Sequence, residues 1–502
     1  MAPGWKSVLR GFLGAALLAV AGCGAGAAAG VPDAEVPGIL AALSGSSAGT
    51  ARGAIDRVVA ARDARFTAVF VELLRAAEVG VASPGAGRAS AGALESLHAT
   101  GFGADWHAWV KWYAGTELAP PPGFTGWKGE LLGRIDPHFA EILAPGAPSR
   151  IRVEEVVWGG VGFEGIPALD RPATLAAGEA DYLTPEEPVF GIVLNGEARA
   201  YPHRILDWHE MVNDEVGGVG FSLAYCTLCG SGIAYRAEAS DGKRYDFGSS
   251  GFLMRSNKLM VDRQTRTLWN HLTGRPVLGP LADSEVRLER LPLVVTRWAD
   301  WRARHPGTRV LSLDTGFDRP YRPGAAYGGY FASPETMFPV RERSRLLPAK
   351  ERVFGLELGG VPKAYPVEAL VEARVVNDTL NDVAVVLVAA DPQIEVAGSS
   401  VRTGPARYRA GAPVRAYRAG SARFRLEDGV LKDASGRTWK LEEDALVGPD
   451  GQRAERLAGF LAYWFGWSSF HPGTLVWKAP ASPSSSAAPS ARSTAPGRPP
   501  RP

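Results

Sequence analysis

Hydrophobic positions change their period twice along the chain. Near the start, an unbroken apolar run from Gly11 to Ala21 follows Lys6 and Arg10. From about Gly38 to Ala144 the apolar residues recur at helical spacing. Phe66, Val69, Phe70, Leu73 and Leu74 would share one face, and so would Trp106, Trp109, Trp112 and Tyr113. From about Ile151 the pattern becomes short β-branched runs broken by Gly and Pro. Val189 to Leu194, the turn Asn195-Gly196 and Glu197 to Tyr201 predict a hairpin. Pro202 then opens a helix predicted over 203–213, with Ile205, His209 and Val212 on one face. Gly217-Gly218 leads into an apolar strand from Val219 to Tyr225, and 298–305 predicts a closing helix ended by Pro306-Gly307.

The second half repeats part of this pattern. Val189 to Tyr225 aligns without gaps to Val353 to Ala389, at an offset of 164. Val189-Phe190-Gly191 meets Val353-Phe354-Gly355, Ala200-Tyr201-Pro202 meets Ala364-Tyr365-Pro366, and Val212-Asn213-Asp214 meets Val376-Asn377-Asp378. A second shared block places Trp298, Trp301 and His305-Pro306-Gly307-Thr308 opposite Trp464, Trp467 and His471-Pro472-Gly473-Thr474. Between these anchors the sequences do not align by inspection. The expected fold is α+β, β-rich and tandem-duplicated, preceded by a small helical domain. The expected limits are a leader at 1–22, a tether at 23–37, the helical domain at 38–150, a first copy at 151–340, a second at 341–477, and an Ala/Pro/Ser/Arg-rich disordered tail at 478–502.

Composition narrows the function classes. With 55 Lys and Arg against 53 Asp and Glu, the net charge is +2, so a basic nucleic-acid binder is not expected. Three cysteines in 502 residues exclude a disulfide scaffold. There is no phosphate-cradling Gly-rich loop after a strand and no H-E-x-x-H. The leader ends Val20-Ala21-Gly22-Cys23, which resembles a bacterial lipobox. That resemblance implies cleavage before Cys23, lipidation of its thiol, and an extracytoplasmic protein anchored by lipid. Gly24 stands where an inner-membrane retention signal would favour Asp, so an outer membrane is favoured if the cell has two.

Cys226-Thr227-Leu228-Cys229-Gly230 is the candidate chemistry. Two thiols two residues apart can reach one ion, and the Gly permits a bend that aims backbone N–H groups at sulfur. The same spacing also suits a redox dithiol or a local disulfide clip, and all three readings stand at this stage. His209 is the expected third ligand, with Met260 and His271 as weaker candidates for a fourth. Met254 has the same chemistry as Met260. Opposite His209, Cys226 and Cys229 the second copy carries Ala373, Ala390 and Gln393. Soft sulfur with imidazole outside the cytoplasm suits one copper or zinc ion. His305 and His471, present in both copies, read as scaffold. Asn213-Asp214 and Asn377-Asp378 read as turns after the helix, Asp262 to Thr265 as a hairpin turn, and the Trp106/Trp109/Trp112 stripe as core.

Ala200-Tyr201-Pro202, Trp208-His209-Glu210, Val212-Asn213-Asp214, Tyr225 to Gly230, Asp262-Arg263-Gln264-Thr265, Leu268-Trp269 and His305-Pro306 together resemble the domain-of-unknown-function family 3179. The resemblance covers about Val153 to Asp314, with the second copy as a degenerate relative. Family members commonly have Pro where Thr227 stands, and often look secreted or lipid-anchored in prokaryotes. The resemblance implies a fold unit and a site and assigns no reaction. The functions that remain are metal binding, thiol–disulfide exchange, and a noncatalytic cell-envelope module with a structural disulfide. A lipid-anchored chain has the membrane as its partner; a protein partner is not specified.

Overall fold

The computed structural model of the protein describes residues 30–45, 47–341, 344–389 and 391–479. Cys23, the leader and most of the Ala/Pro/Ser/Arg-rich tail lie outside the described residues. The architecture is α+β and β-rich, with helices leading. These are α1 Val36–Ser44, α2 Ala48–Ala60, α3 Thr67–Glu78, α4 Pro84–Leu97, α5 Trp106–Tyr113, α6 Phe124–Leu132 and α7 His138–Ile142. The apolar face of α3 is buried, and Asp105 caps α5 by accepting the Ala108 N–H at 2.9 Å. Trp106 and Trp109 are buried, and the Trp109 indole N–H reaches the Gly103 carbonyl, so the Trp stripe faces the core. Among the described residues no helix is long and apolar enough to cross a membrane.

The predicted hairpin forms between Pro188–Leu194 and Glu197–Pro202, with Asn195 and Gly196 both left-handed. The next helix is shorter than its periodicity predicts. α8 is His203–His209, ended by Glu210 at φ 55°. Residues Met211–Val216 form a strand instead, antiparallel to Val219–Cys226. Val, Asn and Asp are weak helix formers, and the Gly217-Gly218 turn offers them a pairing partner. Asn213 and Asp214 are therefore strand residues, not a turn. Asn213 exchanges two hydrogen bonds with the Phe247 backbone, and Asp214 accepts from the Tyr201 hydroxyl at 2.7 Å. The closing helix near 298–305 is α9 Trp298–Arg304, and α10 Gly328–Ala332 lies in the connection to the second half.

The second half repeats the order: Arg352–Leu358, Val361–Pro366, α11 Val367–Ala373, Val375–Leu380 and Val383–Val388, then Phe460–Tyr463 and α12 Trp464–Phe470. The two four- and five-stranded sheets built on these hairpins have the same neighbours, including a parallel pairing to a late strand in each. The likeness extends to single hydrogen bonds. Tyr365 donates to Asp378 as Tyr201 does to Asp214. Asn377 exchanges two bonds with the Phe424 backbone as Asn213 does with Phe247. Trp301 and Trp467 donate to Thr308 and Thr474, each at 2.9 Å.

Correspondence also appears in the stretch that did not align by sequence. Trp269 donates to Asp262 and Trp439 donates to Asp433, each pair at the end of a hairpin. Different loop lengths shift the offset there, which hides the match from a gapless comparison. The halves share one apolar core in which Phe190, Tyr201 and Leu223 pack with Phe354, Tyr365 and Leu387.

In both halves a strand glycine lies beneath a tryptophan. A Cβ on Gly191 would collide with the Trp301 ring, and one on Gly355 with the Trp467 ring. Gly191→Ala and Gly355→Ala should each destabilise the protein by about 1–3 kcal/mol, the usual cost of overpacking a core. Urea unfolding measures this, and an unchanged midpoint for either variant would contradict the packing.

Candidate metal centre

The strand Val219–Cys226 delivers Cys226 at its end, paired with Ser231 on the returning strand. Thr227 to Gly230 turn between them, with Gly230 in the left-handed region at φ 61°. The tight turn aims backbone donors at sulfur, as the Cys-x-x-Cys-Gly spacing predicts. The Cys229 N–H lies 3.3 Å from Cys226 Sγ, and the Lys258 N–H from the neighbouring hairpin lies at 3.5 Å. Both cysteines are free thiols and almost wholly buried, at 1% and 0% exposure.

His271 completes the group. Its ligand atom and the two sulfurs lie within 4.8 Å of one another, the one such group of three among the described residues. It follows the strand Leu268–Asn270, where the Asn270 side chain accepts the N–H groups of Leu272 and Thr273 and fixes the turn. Its Nε2 lies 3.1 Å from the Ala224 carbonyl. A carbonyl can only accept, so Nε2 carries the proton and Nδ1 keeps its lone pair. Nδ1 is buried and has no hydrogen-bond partner. A backbone carbonyl that fixes the tautomer is the usual outer support of a ligating histidine.

Residues 163–474 match the model of a family described as a protein of unknown function, DUF3179. The chain belongs to that family. The match runs through both halves of the β-rich region, whereas the motif resemblance was read mainly as far as Asp314. Neither the curated proteins nor the solved structures contain a match to the chain.

The other candidate ligands of this DUF3179 protein have other partners. His209 is buried, but its Nδ1–H donates to the Pro167 carbonyl at 2.8 Å and its Nε2 accepts from the Tyr321 hydroxyl at 2.5 Å. Both ring nitrogens are thus committed, and the structure does not bring His209 to the thiols. Its position follows from the early end of α8, because the backbone turns at the next residue. Met260 packs with Ala224, Ile233 and Trp269, and Met254 packs with Phe252 and Leu259 in the core beneath the helices.

Glu210, the residue after His209, reaches the turn instead. It accepts from the Thr227 hydroxyl at 2.9 Å and pairs with the Lys258 ammonium at 3.0 Å, both buried. Its carbonyl also accepts the Tyr225 N–H at 2.7 Å. The sequence signal for Glu210 lies in Trp208-His209-Glu210, beside the histidine. Thr227, in the place of the usual Pro, provides the hydroxyl for this link.

The three turn carbonyls are held by the second half and its connection. Tyr330 donates its hydroxyl to Leu228, the Tyr463 N–H reaches Cys229 at 2.7 Å, and Arg352 reaches Gly230 at 3.3 Å. Helix α12 crosses close by. A Cβ on Gly466 would fall 2.9 Å from Cys229 Cβ and 3.0 Å from Asn257 Oδ1. The Asn257 amide donates to the Arg255 carbonyl at 2.8 Å, which leaves Oδ1 buried without a partner.

Electrostatics separates the two sulfurs. Burial pushes the Cys229 thiol well up, and the neighbouring Cys226 adds to the shift. Burial also acts to raise Cys226, but the Cys229 thiol and the two backbone N–H groups outweigh it and hold Cys226 below its ordinary value. Burial lowers His271 to about 3, so its imidazole is neutral and able to ligate at neutral pH.

This last shift fixes a pH dependence for the metal-free protein. Unfolded histidine takes a proton below about pH 6.5, while folded His271 resists protonation down to about 3. Acid therefore favours the unfolded chain. Stability should fall as pH drops through this window, by up to ~1.4 kcal/mol per pH unit from this residue. Urea unfolding of wild type and His271→Gln between pH 7 and pH 4 measures it, with a shallower slope expected for the variant.

Proposed function

We propose that this protein binds one soft d¹⁰ metal ion, zinc or copper(I), through Cys226 Sγ, Cys229 Sγ and His271 Nδ1. The observation that carries this reading is a fully buried, neutral histidine with an unpartnered Nδ1 and a ring nitrogen within 4.8 Å of both sulfurs. A buried polar atom without a partner costs free energy, and coordination would satisfy it together with both sulfurs. A three-donor set suits copper(I). Zinc calls for a fourth ligand, and the unpartnered Asn257 Oδ1 beside Cys229 is an available oxygen. Donors so deeply buried suit a resident ion, and thiol exchange with a protein partner would require access that these sulfurs lack.

The same reading places the site outside the cytoplasm, tethered through lipid on Cys23 to the cell envelope, with the outer membrane favoured where there are two. The support is the sequence Val20-Ala21-Gly22-Cys23 after an apolar run. The partner is the membrane, and nucleic acid has no part.

Mass spectrometry of protein purified without chelator should find about one zinc or copper per chain. Cys226→Ser, Cys229→Ser and His271→Ala should lose it, while His209→Ala should keep it. Full metal content in His271→Ala would overturn the ligand set, and a metal-free chain with an oxidised cysteine pair would favour the structural disulfide. For the anchor, fatty-acid labelling of cells should tag the wild type and not Cys23→Ala. An untagged wild type would remove the lipoprotein assignment.

A further inference from the structure

A cleft of about 510 Å³ opens between the segment that follows α10 and the second half. Lys350 and Arg352 line it, together with Phe331, Ser333, Tyr408 and Tyr463. Both cations are satisfied only by neutral groups. The Lys350 ammonium donates to the carbonyls of Tyr330 and Ser333 and lies 3.7 Å over the Tyr330 ring. Arg352 donates to the carbonyls of Arg409 and Gly230 and to the Tyr463 hydroxyl, and lies 4.5 Å over the Tyr463 ring. Among the described residues no carboxylate comes within 4.0 Å of either charge. Arg409, which also lines the cleft, does have acidic neighbours, Glu368 at 3.6 Å and Glu395 at 3.8 Å. Glu351 and Glu368 also line the cleft, but neither pairs with Lys350 or Arg352.

Two adjacent like charges, each partly buried and with no carboxylate in contact, are unfavourable unless something else brings the charge. We infer that Lys350 and Arg352 form a binding site for a small oxyanion, the phosphate or carboxylate group of a ligand that enters this cleft. Donor arithmetic allows it. An ammonium has three N–H donors and Lys350 commits two; a guanidinium has five and Arg352 commits three. The remaining donors can serve an anion, and a guanidinium suits a planar or tetrahedral oxyanion. Burial and then Arg352 lower the Lys350 pKa to about 7, with Glu335 opposing, so an anion beside it would favour the charged ammonium. The aromatic walls would cover the apolar part of the ligand.

This site does not depend on the metal reading, since neither cation is a ligand and the charge argument involves no ion. Isothermal titration of the purified full chain at neutral pH and constant ionic strength tests it, with inorganic phosphate in one arm and succinate in the other. Saturable one-to-one binding of at least one anion is expected, and the tighter arm identifies the headgroup. Lys350→Met should weaken binding about tenfold or more, the weight of one charge-assisted hydrogen bond. Lys350→Arg should retain most of it, and Arg409→Gln should change it little. Circular dichroism and the melting temperature establish that each variant is folded. No saturable heat from either anion would overturn the inference, and so would wild-type affinity in a folded Lys350→Met. Metal content measured on the same samples keeps failure of this site distinct from failure of the metal centre.

Discussion

The orientation of three peptide groups governs the centre of this protein. In the turn from Cys226 to Gly230, the Cys229 N–H points toward the Cys226 sulfur and the carbonyls of Leu228, Cys229 and Gly230 point away. A turn this tight is stable only if the outward carbonyls find donors, because buried carbonyls without partners are costly. The donors come from Tyr330, Tyr463 and Arg352, all distant in sequence. The thiol geometry therefore depends on how the second half packs on the first. Gly466 belongs to the same constraint, because only the absence of a side chain lets α12 approach Cys229 so closely.

Around that turn the charges are arranged in two layers. Nearest the sulfurs, His271 is neutral and Glu210 is paired with Lys258, so little net charge is buried beside the thiols. Farther out, toward the cleft, Lys350 and Arg352 bring positive charge without acidic partners. Asp207, on α8, is buried, and burial followed by Glu210 pushes its carboxyl well above its ordinary value. The same cations that leave room for an anion also hold the turn, because Arg352 contacts Gly230 and Lys350 contacts the Tyr330 backbone. Binding in the cleft and geometry at the thiols thus share a set of contacts.

The two halves of the β-rich region use the same framework for different ends. Tyrosine–aspartate, asparagine–backbone and tryptophan–threonine bonds recur in both. At the positions of His203 and Asp207 the second half carries Val367 and Val371, and apolar side chains there need no partner. Polar groups that resist burial are concentrated in the first half. The second half contributes walls, backbone donors and a close-packed helix.

Much of this was legible in the residues themselves. The hairpin turns at Asn195-Gly196 and Gly217-Gly218, the thiol turn closed by Gly230 and the recurrent Trp and His-Pro-Gly-Thr anchors are local features. Each depends on backbone preferences and spacing within a few residues, which any stretch of sequence carries with it. The end of α8 is not legible locally, because helical periodicity at Ile205, His209 and Val212 competes with strand pairing to Val219–Cys226, and pairing is not local. That one difference placed His209 against Pro167 and Tyr321. That His271 and not His209 lies near the thiols was decided by tertiary structure alone. It depends on the register of Leu268–Asn270 against Asn257–Asp262, and on the packing that brings Ala224 to the far nitrogen of the ring. Sequence spacing sets which two sulfurs can meet one ion, since they share a turn. Which imidazole comes near them is decided where separate strands converge, because distance through the fold and not along the chain sets proximity.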